Sequence, residues 1–296
     1  MQGRRNLETQ WKTELDKMAA DHHSPSSALA SKAAELLSAV AEDDPEMLAD
    51  VARGVVLSQP SMAALGNVAN VALRAMQVLG LKSVTKALET LEQGVKADRV
   101  AAAEALVQEI DAPVRVVTTS ASAAVVEGLQ ALRRADRLQD VVCAEARPIL
   151  EGTALARWLR EQGYSVTLTS DAGLCEFLRP GAIFVVGTDA ILPHAIANKT
   201  GTRVYATWSR LMGVPSYVLA SRDKFYLPEL TGLFDNPQRP AEELLQKPPE
   251  GLRVDNRAFD LTARSVWRRI LVGSKTVEEA ESLGDHALAE ALKPLI

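Results

Sequence analysis

Cysteines, aromatic residues and basic stripes are all scarce in this sequence. The two cysteines, Cys143 and Cys175, form no C-x-x-C pair, which argues against a disulfide framework and against thiolate metal sites. Aromatic residues amount to 4% of the chain, so its core is expected to be built from alanine, valine and leucine. No apolar run approaches the roughly 20 residues that cross a bilayer, and Met1 to Asp21 carries no apolar signal-peptide core. These absences lead to the expectation of a cytoplasmic protein without membrane association. The net charge of -5 gives no direct nucleic-acid signal, which would be a basic patch or stripe. Neither a Walker phosphate loop nor a G-x-G-x-x-G fingerprint occurs, so no cofactor is expected. His194 stands without a second ligand, and no metal site is expected.

What is present is 296 residues of ordinary globular composition, enough for one large domain or two modest ones. Residues 1–111 read as a helical N-terminal domain. Trp11, Leu15 and Met18 share one helical face, and Leu29, Ala33, Leu36, Leu37 and Val40 repeat at helical spacing. Pro60 reads as opening a further helix that ends near Gly80, and Lys82 to Ile110 as another, with a break near Gly94. Residues 112–296 change pattern. Short apolar runs at Val114 to Thr118, Val141 to Ala144, Ser165 to Thr169, Ile183 to Val186 and Tyr217 to Ala220 alternate with helical stretches. That alternation predicts an α/β fold with a parallel sheet covered on both faces. Phe234 to Asp255 reads as an exposed loop, and Thr262 to Val272 as a final apolar helix.

Open α/β sheets bind ligands at the carboxyl ends of their strands, and three of the strand ends here carry suitable groups. The first ends in Thr118, Thr119 and Ser120 before a helix, which suits a phosphate on free backbone N–H groups and equally suits ordinary N-capping. The second ends in Glu145, Ala146 and Arg147. Arg147 can grip a phosphate or carboxylate in bidentate fashion, or simply pair with Glu145. The fourth ends in Gly187-Thr188-Asp189 and continues into apolar residues. A desolvated Asp189 would be a proton donor or base; a turn cap is the alternative. The stretch after Asp189 reads as a loop in which Asn198 and Lys199 precede Gly201-Thr202, offering an amide for sugar hydroxyls and a cation for a phosphate.

The run G-T-D-A-I (187–191), N-K-T-G-T (198–202) and G-V-P-S-Y-V (213–218) resembles one known family. It joins the alpha, beta and delta subunits of eukaryotic initiation factor 2B with the methylthioribose-1-phosphate and ribose-1,5-bisphosphate isomerases. Glu145-x-Arg147-Pro148 with Gly152, Asp171, Lys224-Phe225 and Phe259-Asp260-x-Thr262 extend the match in order and spacing. The resemblance implies a helical N-terminal domain followed by a Rossmann-like parallel-sheet C-terminal domain. It also implies a homodimer formed through the C-terminal domain and a phosphosugar pocket between the domains. It maps the isomerases' catalytic aspartate onto Asp189, and their phosphate and hydroxyl contacts onto Arg147, Asn198 and Lys199. Their catalytic cysteine has no counterpart: where they read Thr-His-Cys-Asn, this chain reads Thr118-Thr119-Ser120-Ala121.

A hydroxyl is far less acidic than a thiol and needs an adjacent base. The expectation is therefore a regulatory, initiation-factor-like protein that binds a phosphorylated sugar or nucleotide. The alternative is an aldose–ketose isomerase acting on a ribose-1-phosphate-type substrate, with Asp189 as proton donor and Ser120 in place of the thiol.

Overall fold

Helices account for the first part of the chain, as its periodicity predicts. The computed structural model describes residues 2–119, 121–236, 238–283 and 287–296. It begins with α1 (Gln2–Ala20), α2 (Ser26–Asp43), α3 (Leu48–Ser58), α4 (Ala63–Leu79) and α5 (Val84–Gln108). Trp11, Met18, Leu29, Leu37, Val40, Val55, Leu65 and Leu73 are buried together in one core. Each such side chain contributes about 1.5–3 kcal/mol when fully removed from water. The α4 helix starts at Ala63 rather than at Pro60. No break occurs at Gly94 of α5, because that glycine faces open space and costs only its weak helix propensity, about 1 kcal/mol against alanine.

The sheet domain follows: β1 (Val114–Thr118), α6 (Ala123–Arg134), β2 (Leu138–Ala144), α7 (Glu151–Glu161), β3 (Val166–Thr169), a 3-10 segment (Ala172–Phe177) and β4 (Ala182–Val186). Next come β5 (Ala190–Ile191), β6 (Ala195–Lys199), α8 (Thr202–Leu211) and β7 (Ser216–Ala220), then β8 (Phe259–Ala263), β9 (Arg269–Val272), β10 (Lys275–Thr276) and α9 (Val277–Leu283). The main sheet has the order β10-β9-β7-β4-β1-β2-β3. It is parallel except where β10 pairs antiparallel with β9. β5, β6 and β8 form a small antiparallel sheet beside it.

Two sequence expectations are corrected here. Thr262 to Val272 is not a helix: it divides into the end of β8, which pairs with β6, and β9, which adds to the main sheet beside β7. The run Ile270, Leu271 and Val272 is buried, as a continuous apolar strand inside a parallel sheet should be. Periodicity alone cannot separate such a run from a buried helix. The stretch after Asp189, read as a loop, is the β5–β6 hairpin, which places Asn198 and Lys199 at a strand end.

The helices and the sheet share their cores. Ala102, Leu106 and Ile110, in and just after α5, pack with Val116, Leu129 and Leu219. From the other side, Ala190, Ala197 and Phe259 of the small sheet, with Leu192 in its hairpin turn, join the helical core. Burial of that kind fixes the seam between the two regions.

Candidate functional site

At that seam, the carboxyl ends of β4, β6 and β7 face the first turn of α2 across a cleft of about 870 Å³ of open space, its solvent mouth included. Its walls carry four cations, Arg99, Lys199, Lys224 and Arg239, and three carboxylates, Glu151, Asp189 and Asp223. Gly187 allows the walls to meet, since a Cβ there would come within 2.2 Å of Ser122 Oγ.

Asp189 is anchored through its backbone. Its N–H donates to the Ala197 carbonyl at 3.0 Å, and its own carbonyl accepts from Ala63 N at 3.1 Å. Thr188 Oγ1 reinforces the turn by donating toward the carbonyls of Ala190 at 3.0 Å and Ala197 at 2.8 Å. Burial deep in the fold pushes the Asp189 carboxyl above the usual carboxylate range. Lys224, a hydrogen bond with Ser26, Arg239 and Lys199 oppose that shift. Ser26 Oγ also accepts from Lys224 Nζ at 2.7 Å. Behind Lys224, Asp223 Oδ2 lies 3.8 Å from the ammonium, and Ser221 donates to the Asp223 carboxylate. Asp189 therefore stands at the end of a buried chain, Asp223–Lys224–Ser26–Asp189, that joins the sheet to the helices.

On the β6 side, Lys199 Nζ lies 3.3 Å from Glu151 Oε1. Burial raises the Glu151 carboxyl; Lys199 pulls it back, Asp189 adds to the rise and Arg239 opposes it. Asn198 is buried, and its Nδ2 donates to Thr202 Oγ1 at 3.3 Å. Arg239 is held over the cleft through its guanidinium, which donates to the His22 carbonyl at 2.7 Å, and through its backbone N–H, which donates to the Asn256 carbonyl at 2.7 Å. Arg99 Nε, also at the cleft, has no hydrogen-bond partner among the described residues.

Of the residues singled out from the sequence, Asp189, Asn198 and Lys199 line this cleft together. Thr118 and Thr119 are buried outside its lining; at the end of β1 it is Ala121, Ser122 and Ala123 that face it. Arg147 is exposed and also stands outside the lining. Its N–H and that of Ala146 donate to the Asp171 carboxylate at 2.9 Å each, which fixes the loop after β2. Ser120 lies outside the described residues. The N-terminus of α8, beside Lys199, already has its anion: Asp260 accepts from Gly201 N at 2.8 Å and from Arg203 N at 3.1 Å. Cys143 offers no replacement thiol, because burial pushes it up to about 12.

Sequence reasoning missed Ser26, Glu151, Arg239 and Arg99 as cleft residues. Glu151 carried a legible signal, standing just before Gly152 at the start of a helix. Arg239 carried none, lying in a proline- and glutamate-rich connection.

Residues 22–271 match the Initiation factor 2 subunit family. A translation initiation factor eIF-2B subunit 2-like protein of Pyrococcus furiosus is 28% identical, with 87% of this chain and 92% of that protein covered. A methylthioribose-1-phosphate isomerase of Gemmatimonas aurantiaca is 30% identical, with 81% of this chain and 75% of that enzyme covered. Among solved structures, the translation initiation factor eIF-2B of Pyrococcus horikoshii OT3 superposes with a TM-score of 0.79 at 26% identity, covering 93% of this chain and 99% of that one.

Proposed function

We propose that this chain, which belongs to the Initiation factor 2 subunit family, is a regulatory member that binds a phosphorylated sugar or nucleotide in the cleft between its helices and its sheet. One observation carries the reading: Asp189, Lys199, Lys224 and Arg239 converge on a single cleft. In this arrangement Lys199, Lys224 and Arg239 hold the phosphate, and Asp189 and Asn198 take the sugar hydroxyls. Arg147, Thr118 and Thr119 serve the loops and core around the cleft. A thermal-shift panel of sugar phosphates and nucleotides tests the proposal. Wild type is expected to be stabilised by at least one phosphorylated ligand, and Lys199→Ala to lose most of that gain. No stabilisation by any of them, with wild type behaving like Lys199→Ala, would sink it.

The raised Asp189 carboxyl favours a second reading, an aldose–ketose isomerase for a phosphorylated pentose. A carboxyl that keeps its proton to higher pH is better placed to donate it to a sugar oxygen. This reading requires turnover that disappears in Asp189→Asn. An inert wild type that gains activity on Ser120→Cys would favour the regulatory reading instead.

A homodimer through the sheet domain fits the exposed stripe of Val204, Trp208 and Leu211 on α8, which follows helical spacing. A cytoplasmic setting fits the absence, among the described residues, of any helix long and apolar enough to cross a membrane.

A further inference from the structure

Any phosphate entering the cleft meets a cation that is already engaged. Lys199 Nζ sits 3.3 Å from Glu151 Oε1, and the Glu151 side chain is 26% exposed, on the cleft wall. Glu151 stands on a closely packed stretch of backbone. It is the first residue of α7, and a Cβ on the next residue, Gly152, would come within 1.9 Å of the Ala144 carbonyl. The backbone carrying the carboxylate is therefore packed directly onto the end of β2.

We propose that Glu151 is the specificity-determining residue of the cleft: it competes with the ligand's phosphate for Lys199, and a phosphorylated ligand takes that lysine only as Glu151 accepts a proton from solvent. The inference rests on the phosphosugar reading above. Lys199, Asp189 and Arg239 are the charged groups that face Glu151. A bound phosphate diverts the first and adds negative charge beside the second. Both changes favour the neutral carboxyl, so binding and proton uptake are linked. A ligand that offers only hydroxyls at this position meets no such competition and can donate to the ionised carboxylate. The cleft thus grades ligands by the charge they bring to Lys199.

Isothermal titration calorimetry tests this with inorganic phosphate and ribose 5-phosphate as probes. Wild type and Glu151→Gln are compared from mildly acid to mildly alkaline pH, in buffers of different ionisation heat. Glu151→Gln is expected to bind ribose 5-phosphate roughly tenfold tighter at the alkaline end, the size of one relieved like-charge contact. The advantage should shrink toward acid pH. Wild type is expected to take up more proton per ligand bound than the variant. Binding by wild type with no more proton uptake than the phosphate itself requires would overturn the inference, whatever the variant does. So would equal affinities and equal proton counts in the two proteins. If wild type and variant both fail to bind any phosphorylated probe, the phosphosugar reading falls and takes this inference with it.

Discussion

Lys224 Nζ donates to Ser26 Oγ at 2.7 Å, tying the turn after β7 to the first turn of α2. The lysine is almost fully buried, as is its neighbour Asp223, 3.8 Å away. Truncating one partner of a buried charge pair leaves the other uncompensated, which costs about 3–5 kcal/mol. Lys224→Met is expected to destabilise the fold by an amount near the lower end of that range, because the pair is long. Ser26→Ala removes the hydroxyl's hydrogen bonds to Lys224 and Asp189 and is expected to cost about 2 kcal/mol. Urea unfolding of both variants checks the order; Ser26→Ala proving the more damaging would contradict the account.

The pH dependence of stability follows from Asp189. Burial raises its folded-state pKa despite Lys224, Ser26, Arg239 and Lys199. The folded protein therefore keeps this proton to higher pH than the unfolded chain does. The resulting stability is fully present below the unfolded aspartate value, about 3.9, and is lost as pH rises through the raised folded value. Asp189→Asn is expected to flatten that decline and to exceed wild type in stability at neutral pH, while binding ligand less well. Chemical denaturation across pH measures the slope, and an unchanged slope would show that the carboxyl is not the group responsible.

Gly187 is expected to tolerate no side chain while Ser122 is present. A Cβ at position 187 would stand 2.2 Å from Ser122 Oγ and 2.8 Å from Ser122 Cβ. Gly187→Ala is expected to cost about 1–3 kcal/mol, the usual penalty of overpacking. Adding Ser122→Gly should recover part of the loss. A double-mutant cycle measures the coupling, and strict additivity of the two changes would refute the close contact.

The cap on α8 makes a separate prediction. Asp260 accepts from the backbone N–H groups of Gly201 and Arg203, so Asp260→Ala is expected to cost about 1–2 kcal/mol, as loss of an N-cap does. The vacated helix end should then gain affinity for inorganic phosphate, as a free helix N-terminus does. Thermal melts with and without phosphate separate the two effects; a variant as stable as wild type would contradict the capping role.

Much of this fold is legible in the sequence, because helical spacing and short β-branched runs report which faces are buried. Leu29, Leu37 and Val40 announce α2, and Val114 to Thr118 announces β1. The run from Arg269 to Val272 does not announce itself, since a strand buried on both faces and a buried helix leave the same short apolar signature. The site is legible where its residues belong to one stretch, as Asp189, Asn198 and Lys199 do. Ser26, Arg99 and Arg239 reach the cleft only because three distant segments fold over it, and no local spacing records that. Arg147 shows the converse: its position at a strand end is right for a ligand contact, yet Asp171 fastens the loop so that Arg147 stands outside the cleft.

The most direct measurement of the central claim is a structure of the protein bound to the phosphorylated ligand that stabilises it most. The phosphate is expected within hydrogen-bonding reach of Lys199, Lys224 or Arg239, with a sugar hydroxyl on Asp189. A phosphate seated instead outside the cleft, beside Arg147 or on the surface, would contradict it.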